Sequence, residues 1–332
     1  HLAFGGWRAD EFEQRIRGKT YLEIAAAGGG IRRTVEATRR LTESQLIERC
    51  LGFLAEILKL GTTTVECKSG YGLDPEAEIT LLRVYAQLRR CQPVKIIPTF
   101  LAHVIPDEYV AQRDRYVGLL CRELIPSIAR ERLADFCDVF VEKSAFTPDE
   151  ARQILETAAA CGLKTRLHAD QLTDTSGAQL AADMKALSAD HLEQVSDAGI
   201  AALSRSGVVA VSLPLASLYL HTPLMPARRL IDAGVPVAVA TDFNPGSAPS
   251  YHLPLAMMLA CNLQSLTPNE VLKAATIYAA KALGVESDRG SLEEGKAADF
   301  LLIDAADVNH WLYHFRPNAC VEVYIDGKKA NE

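Results

Sequence analysis

Residues 164–191 read KTRLHADQLTDTSGAQLAADMKALSADH, and the fold follows from how this stretch is read. A short strand-like run at 164–169 carries His168 near its end, a helical stretch follows, and a second run at 185–191 ends on His191. Strand, helix and strand in that order make a parallel βα unit. Further strand candidates lie at 62–68, 94–103, 134–142, 208–214 and 235–241. Several are nearly continuous apolar runs, as strands covered on both faces should be. Seven such strands alternating with helices predict an α/β fold, a (β/α)8 TIM-type barrel one strand short of closure.

Local signals support the helices. Thr147-Pro148-Asp149-Glu150 and Thr267-Pro268-Asn269-Glu270 are capping boxes with proline at the first helical position. The first predicts a helix ended by Gly162, the second a helix running to Gly284, and Asp74-Pro75 opens a third. Past Gly284 the pattern changes to short strands and turns at 290–304 and 320–327, and no helix of the earlier kind follows. Residues 1–287 therefore read as the barrel. Residues 288–332 read as the C-terminal portion of a small β-sandwich domain, too short for its own core and in need of partner strands.

The chain has 332 residues, 48% hydrophobic and 23% charged, enough for a large core. A net charge of −7 makes nucleic acid a poor partner. No apolar run is long enough to span a membrane, and no leader opens the sequence. None of the 8 cysteines forms a C-x-x-C pair, which suits reduced thiols and a cytoplasmic location.

Polar residues gather at the C-terminal ends of the strand candidates: His103, His168, His191, and Asp242 after the last. In a barrel of this type that rim carries function. One histidine there is more often a hydrogen-bonded structural residue. Several on successive strands, with an aspartate, form the donor set of a catalytic metal.

The motifs resemble one family. His1-Leu2-Ala3-Phe4-Gly5-Gly6 looks like the end of its H-x-H-L-x-F-x-G segment; Lys68-Ser69-Gly70-Tyr71-Gly72-Leu73, Leu167-His168-Ala169-Asp170, Ser188-Ala189-Asp190-His191 and Ala240-Thr241-Asp242-Phe243-Asn244-Pro245-Gly246-Ser247 follow in order. The chain resembles the imidazolonepropionases, amidohydrolases, along its whole length. The resemblance implies one divalent or trivalent metal ion, Zn or Fe, held by His1, His168 and Asp242. It also implies that the first histidine of H-x-H and the first barrel strand would precede His1, so that the chain reads as truncated at its N-terminus.

By the same resemblance a metal-activated water hydrolyses the cyclic amide of 4-imidazolone-5-propanoate to N-formimidoyl-L-glutamate. Asp242 would move the proton and His191 would stabilise the oxyanion. Arg8 and Tyr71 would clamp the substrate carboxylate, and His103, Gln171, Asn244, Gly246 and Ser247 would hold the rest. Gln171 departs from the glutamate common at that place, and an amide cannot act as a base. Lys68 reads as structural, Gly28–Gly30 as a backbone bend near the site, and His221, His252, His310 and His314 as unrelated to it. Relatives are commonly homodimers.

Two other readings compete. A heterocyclic-base deaminase could share the metal set, but has no carboxylate for Arg8 and Tyr71 to hold. A metal-free, inactive barrel fragment is the other, and on the truncated reading metal would bind weakly.

Overall fold

Seven parallel strands form one sheet in chain order: β1 Thr64–Lys68, β2 Lys95–Ala102, β3 Phe136–Val141, β4 Lys164–Ala169, β5 Ser188–His191, β6 Val209–Ser212 and β7 Val237–Val239. These come from a computed structural model that describes residues 1–19, 23–24 and 27–330. Each strand falls inside a predicted run. The register aligns Lys68 with Thr99, Phe140 with His168, and His168 with Asp190.

The sheet is rolled. A flat sheet would hold β1 and β5 apart by four strand spacings, about 19 Å. Instead Lys68 Nζ on β1 lies 3.0 Å from Asp190 on β5, and Arg166 on β4 lies 2.6 Å from Glu66 on β1. The concave face thus encloses these charged pairs, while most buried apolar side chains form one large cluster and Val209, Val211, Leu213 and Ala238 belong to a second, smaller one. The family fold, a TIM-type barrel with a small antiparallel sheet, is what the strands build. Among the described residues β1 and β7 each pair with one strand only.

The capping signals mark real helix starts. Thr147 and Thr267 each form a complete capping box, opening helices Pro148–Ala160 and Pro268–Ala275, and Asp74 caps helix Pro75–Cys91. One expectation changes. The helix from Pro268 does not run unbroken to Gly284: it stops at Ala275 and restarts as Ile277–Ala282. Thr276 between them has φ −124° and ψ −86°, and its hydroxyl bonds the carbonyl of Leu272, a local bond that competes with the helix ladder.

The tail also differs from expectation. Its strands β8 Phe300–Ile303, β9 Cys320–Ile325 and β10 Lys328–Lys329 pair with one another, antiparallel, in the order β10-β9-β8. A helix, Val308–Tyr313, lies between β8 and β9, capped by Asp307. The small sheet has no separate core: Trp311, Leu312, Val323 and Ile325 join the main cluster, and Asn318 donates to the carbonyl of Lys59 at 2.9 Å. No helix of the described residues is long and apolar enough to cross a membrane.

Candidate active site

The strand ends bring the imidazoles together. His103 follows β2, His168 sits next to last on β4, and His191 ends β5. The His1 ring stacks on Tyr71 at 4.3 Å and on His103 at 5.1 Å, while His168 and His191 are 5.3 Å apart. Phe140 stands 6.0 Å from both His103 and His168 and links the two pairs. The terminal amine of His1 donates to the carbonyl of Phe243 at 2.9 Å, which brings the β7 loop to the same mouth. His1, Lys68, His168, Asp190 and Asp242 line one cavity of about 830 Å³.

His1, His168 and Asp242 therefore share a space, though they are not the tightest set of donors. Among the described residues, one group brings three donors within 4.8 Å of one another: Asp138, His168 and Asp190, all buried. That group already holds a cation. Lys68 Nζ lies 2.5 Å from Asp138, 3.0 Å from Asp190 and 3.0 Å from Glu66. Burial opposes the charge on Lys68, but the three carboxylates outweigh it and raise its pKa above the ordinary value. Burial likewise pushes Asp138 up, and His168 and Lys68 more than reverse this, holding its carboxyl well below the usual range. The trio is a salt-bridge node filled by an ammonium.

Polar atoms left over test whether the remaining donors suit a metal. His168 Nδ1 is 2.9 Å from Asp138 Oδ2, but the ring N–H does not point along that line. Among the described residues the buried Nδ1 atoms of His1 and His168 have no aligned hydrogen-bond partner. Two imidazoles and the Asp242 carboxylate, lining the same cavity, are nitrogen and oxygen donors of the kind a catalytic metal ion takes. The donor set fits.

The other two histidines occupy opposite charge states. Burial, with His168 nearby, lowers His103 to about 3, so it is neutral; its Nδ1 contacts the carbonyl of Gly70 at 3.2 Å. Burial also works against charge on His191, but Glu193 reverses it and raises the pKa to about 9. His191 is an imidazolium at neutral pH.

The remaining predicted residues sit on loops around the mouth and do not line the cavity itself. Arg8 donates Nε to Glu11 Oε2 at 2.7 Å, and its Nη2 lies 2.7 Å from the same oxygen. Its Nη1 occupies the space where a side chain on Gly246 would begin. The amides of Gly246 and Ser247 both donate to Asn244 Oδ1 at 2.8 Å, and Ser247 Oγ reaches Asp242 Oδ2 at 3.4 Å. Tyr71 is buried on the loop after β1. Gln171 lies between Asp170, which accepts the amides of Thr175, Gly177 and Ala178, and Leu172, whose amide donates to Glu142 at 3.0 Å. The bend at Gly28–Gly30 touches the site through the Gly30 amide, which donates to Glu11 at 3.1 Å. His252 caps helix Leu253–Gln264 and is structural.

Sequence reasoning passed over Glu11, Glu78, Asp138, Asp190 and Glu193. For Asp138 and Asp190 a signal existed: a carboxylate inside an otherwise apolar strand needs a buried partner. For the three glutamates no spacing marks them out.

The comparisons agree with this geometry. The profile of the amidohydrolase family matches residues 30–330. An imidazolonepropionase of Geobacillus thermodenitrificans (strain NG80-2) is 48% identical over 330 residues, covering 99% of this chain and 78% of that protein. One from Treponema denticola is 43% identical over 334 residues, with 100% and 81% covered. Among solved structures, a zinc-bound adenosine deaminase from Xanthomonas campestris superposes with a TM-score of 0.69 at 21% identity, covering 90% of this chain and 73% of its own; this likeness is one of fold. The chain belongs to the amidohydrolase family and, within it, to the imidazolonepropionases.

Proposed function

We propose that this chain hydrolyses the cyclic amide of 4-imidazolone-5-propanoate to N-formimidoyl-L-glutamate, with one Zn or Fe ion held by His1, His168 and Asp242. The observation that carries the reading is the single cavity shared by those three side chains. When bound, the ion would supply a Lewis acid that makes water nucleophilic near neutral pH.

The protein's own groups account for the rest. Asp242 accepts a proton from the attacking water and passes it to the departing ring nitrogen. Gln171 cannot take that role, because an amide has no basic site. His191, charged and backed by Glu193, donates to the oxyanion that forms at the ring carbonyl. Arg8 has Nη1 left for the propanoate after Glu11 takes Nε and Nη2. Tyr71, the neutral His103 and the Asn244–Ser247 turn complete the pocket.

Residues 1–287 would serve as the hydrolase barrel and 288–332 as part of a small β-domain. All eight cysteines are free thiols, which suits a reducing, cytoplasmic setting.

The test is a turnover assay of the purified chain with imidazolone propanoate and with guanine, alongside metal analysis and an Asp242→Asn control. Preferential opening of the imidazolone, lost in the variant, is expected. Preferential turnover of guanine would favour a deaminase and overturn the reading.

A further inference from the structure

We infer that Glu78 is a positioning residue of the substrate pocket, shaping the loop 69–73 so that Tyr71 is held against His1. Glu78 stands in the first turn of helix Pro75–Cys91 and is only 2% exposed. Its Oε2 accepts the amide of Gly70 at 2.8 Å, and its Oε1 accepts the amides of Gly72 at 2.7 Å and Leu73 at 2.9 Å. Three donors from one loop thus converge on one side chain and occupy both oxygens of its carboxylate.

A mere helix cap does not explain this. The cap of that helix is Asp74, whose side chain accepts the amide of Ala77 at 2.9 Å. The loop's other anchors act elsewhere: the Ser69 amide donates to the carbonyl of Thr99 at 2.9 Å, and Arg39 and Tyr116 bond the carbonyls of Gly72 and Leu73, but the amides of Gly70, Gly72 and Leu73 turn to Glu78. Its backbone is forced, with φ of 107° at Gly70 and 59° at Leu73. Behind the loop, a Cβ on Gly72 would lie 2.6 Å from the Glu78 amide nitrogen. In front of it, a Cβ on Gly70 would lie 3.2 Å from His103 Cβ and 3.3 Å from His1 Cε1. The loop is a thin layer between Glu78 and the two histidines, and what it presents to them is the Tyr71 ring, 4.3 Å from His1 and 5.6 Å from His103.

Burying a carboxylate is costly unless its oxygens are fully bonded. Glu78 is fully bonded only when the loop takes this one shape. Without it, three backbone amides lose their acceptor together, and the backbone that carries Tyr71 loses one of its anchors.

Two measurements on the full chain test the inference, using Glu78→Ala and the shape-conserving Glu78→Gln, which carries both if the alanine variant does not fold. The first is amide hydrogen exchange. Gly70, Gly72 and Leu73 are expected to exchange faster by on the order of 100-fold, with the strands β3–β5 unchanged. Unchanged protection at those three amides overturns the inference. The second rests on the proposed function: steady-state kinetics with imidazolone propanoate, alone and in a Tyr71→Ala background. KM is expected to rise about tenfold with kcat little altered, and the rise is expected to vanish when Tyr71 is absent. An equal rise in both backgrounds, or a loss confined to kcat, overturns the action through Tyr71. If the unaltered chain fails to open the imidazolone, the proposed function falls, while the exchange result still decides the claim about the loop.

Discussion

His191 Nδ1 lies 3.3 Å from Oε1 of Glu193, only two residues further on, because His191 and Leu192 both adopt left-handed backbone, with φ of 80° and 65°. Non-glycine residues hold such angles at a cost on the order of 1 kcal/mol each. The return is a fixed ring. A carboxylate only accepts, so Nδ1 carries a hydrogen toward Glu193 and Nε2 is left for chemistry. Ser217 donates to the same oxygen at 3.3 Å and holds the carboxylate in turn.

Replacing Glu193 should therefore affect turnover more than binding. Glu193→Ala is expected to lower kcat by roughly 10- to 100-fold, as loss of an orienting carboxylate commonly does. Glu193→Gln, which keeps an acceptor, should lose less. Steady-state kinetics of both variants would settle it, and an unchanged kcat in Glu193→Ala would remove Glu193 from the machinery.

Lys68 invites a stability prediction. It is the shared partner of Glu66, Asp138 and Asp190 inside the rolled sheet. Lys68→Met removes that cation and leaves the carboxylates facing one another in a desolvated interior. Breaking a buried pair in this way costs about 3–5 kcal/mol. Urea unfolding reads the loss directly; a change below about 1 kcal/mol would show that the node is not held together by the ammonium.

The strands could be read in the sequence because burial on both faces forces apolar runs, and the histidines could be read because strand ends are where those runs stop. What the linear pattern hides is the closure of the sheet. Lys68 and Asp190 are 122 positions apart, by 190 − 68, and only the roll of β1 onto β5 makes them partners. The same holds for Glu78 and Glu193, whose neighbours in sequence give no hint that their oxygens turn back onto a loop or a ring. The pairing within the tail is hidden for a related reason. Its strands read as needing outside partners, whereas β8 pairs with β9 and the turn at Asp326-Gly327 lets β9 and β10 pair with each other.

Acid should reveal the third capping carboxylate. Arg228 bonds Glu270 through both carboxylate oxygens and, with the Thr267 amide, lowers its pKa to about 2, against the opposing effect of burial. A depressed folded-state value means that the contribution is present above the unfolded value of about 4.5 and is lost as pH falls through about 2. The pair is about a third exposed, so solvent screening reduces its worth to about 1 kcal/mol. Glu270→Gln keeps the capping geometry and removes the charge. Its cost by urea unfolding should be about 1 kcal/mol at pH 7 and roughly half that or less at pH 3. An equal cost at both values would show that charge is not what Glu270 contributes.

Gly246 offers the sharpest test of the carboxylate clamp. A side chain there would begin where Arg8 Nη1 now lies. Arg8 cannot simply swing aside, since Glu11, itself buried, holds it through Nε and Nη2 and is bonded in turn by the Gly30 amide. The backbone at Gly246 is not left-handed, so alanine meets no conformational barrier; the guanidinium is the main obstacle, with Asn244 Oδ1 3.3 Å away. Gly246→Ala should thus displace the one nitrogen left for the propanoate while sparing the fold. KM for imidazolone propanoate is expected to rise about tenfold, with kcat within about twofold and the melting temperature nearly unchanged. The effect should shrink for a substrate analogue that lacks the carboxylate. Equal rises for charged and uncharged substrates would mean that Gly246 acts by bulk alone and that Arg8 is not the clamp.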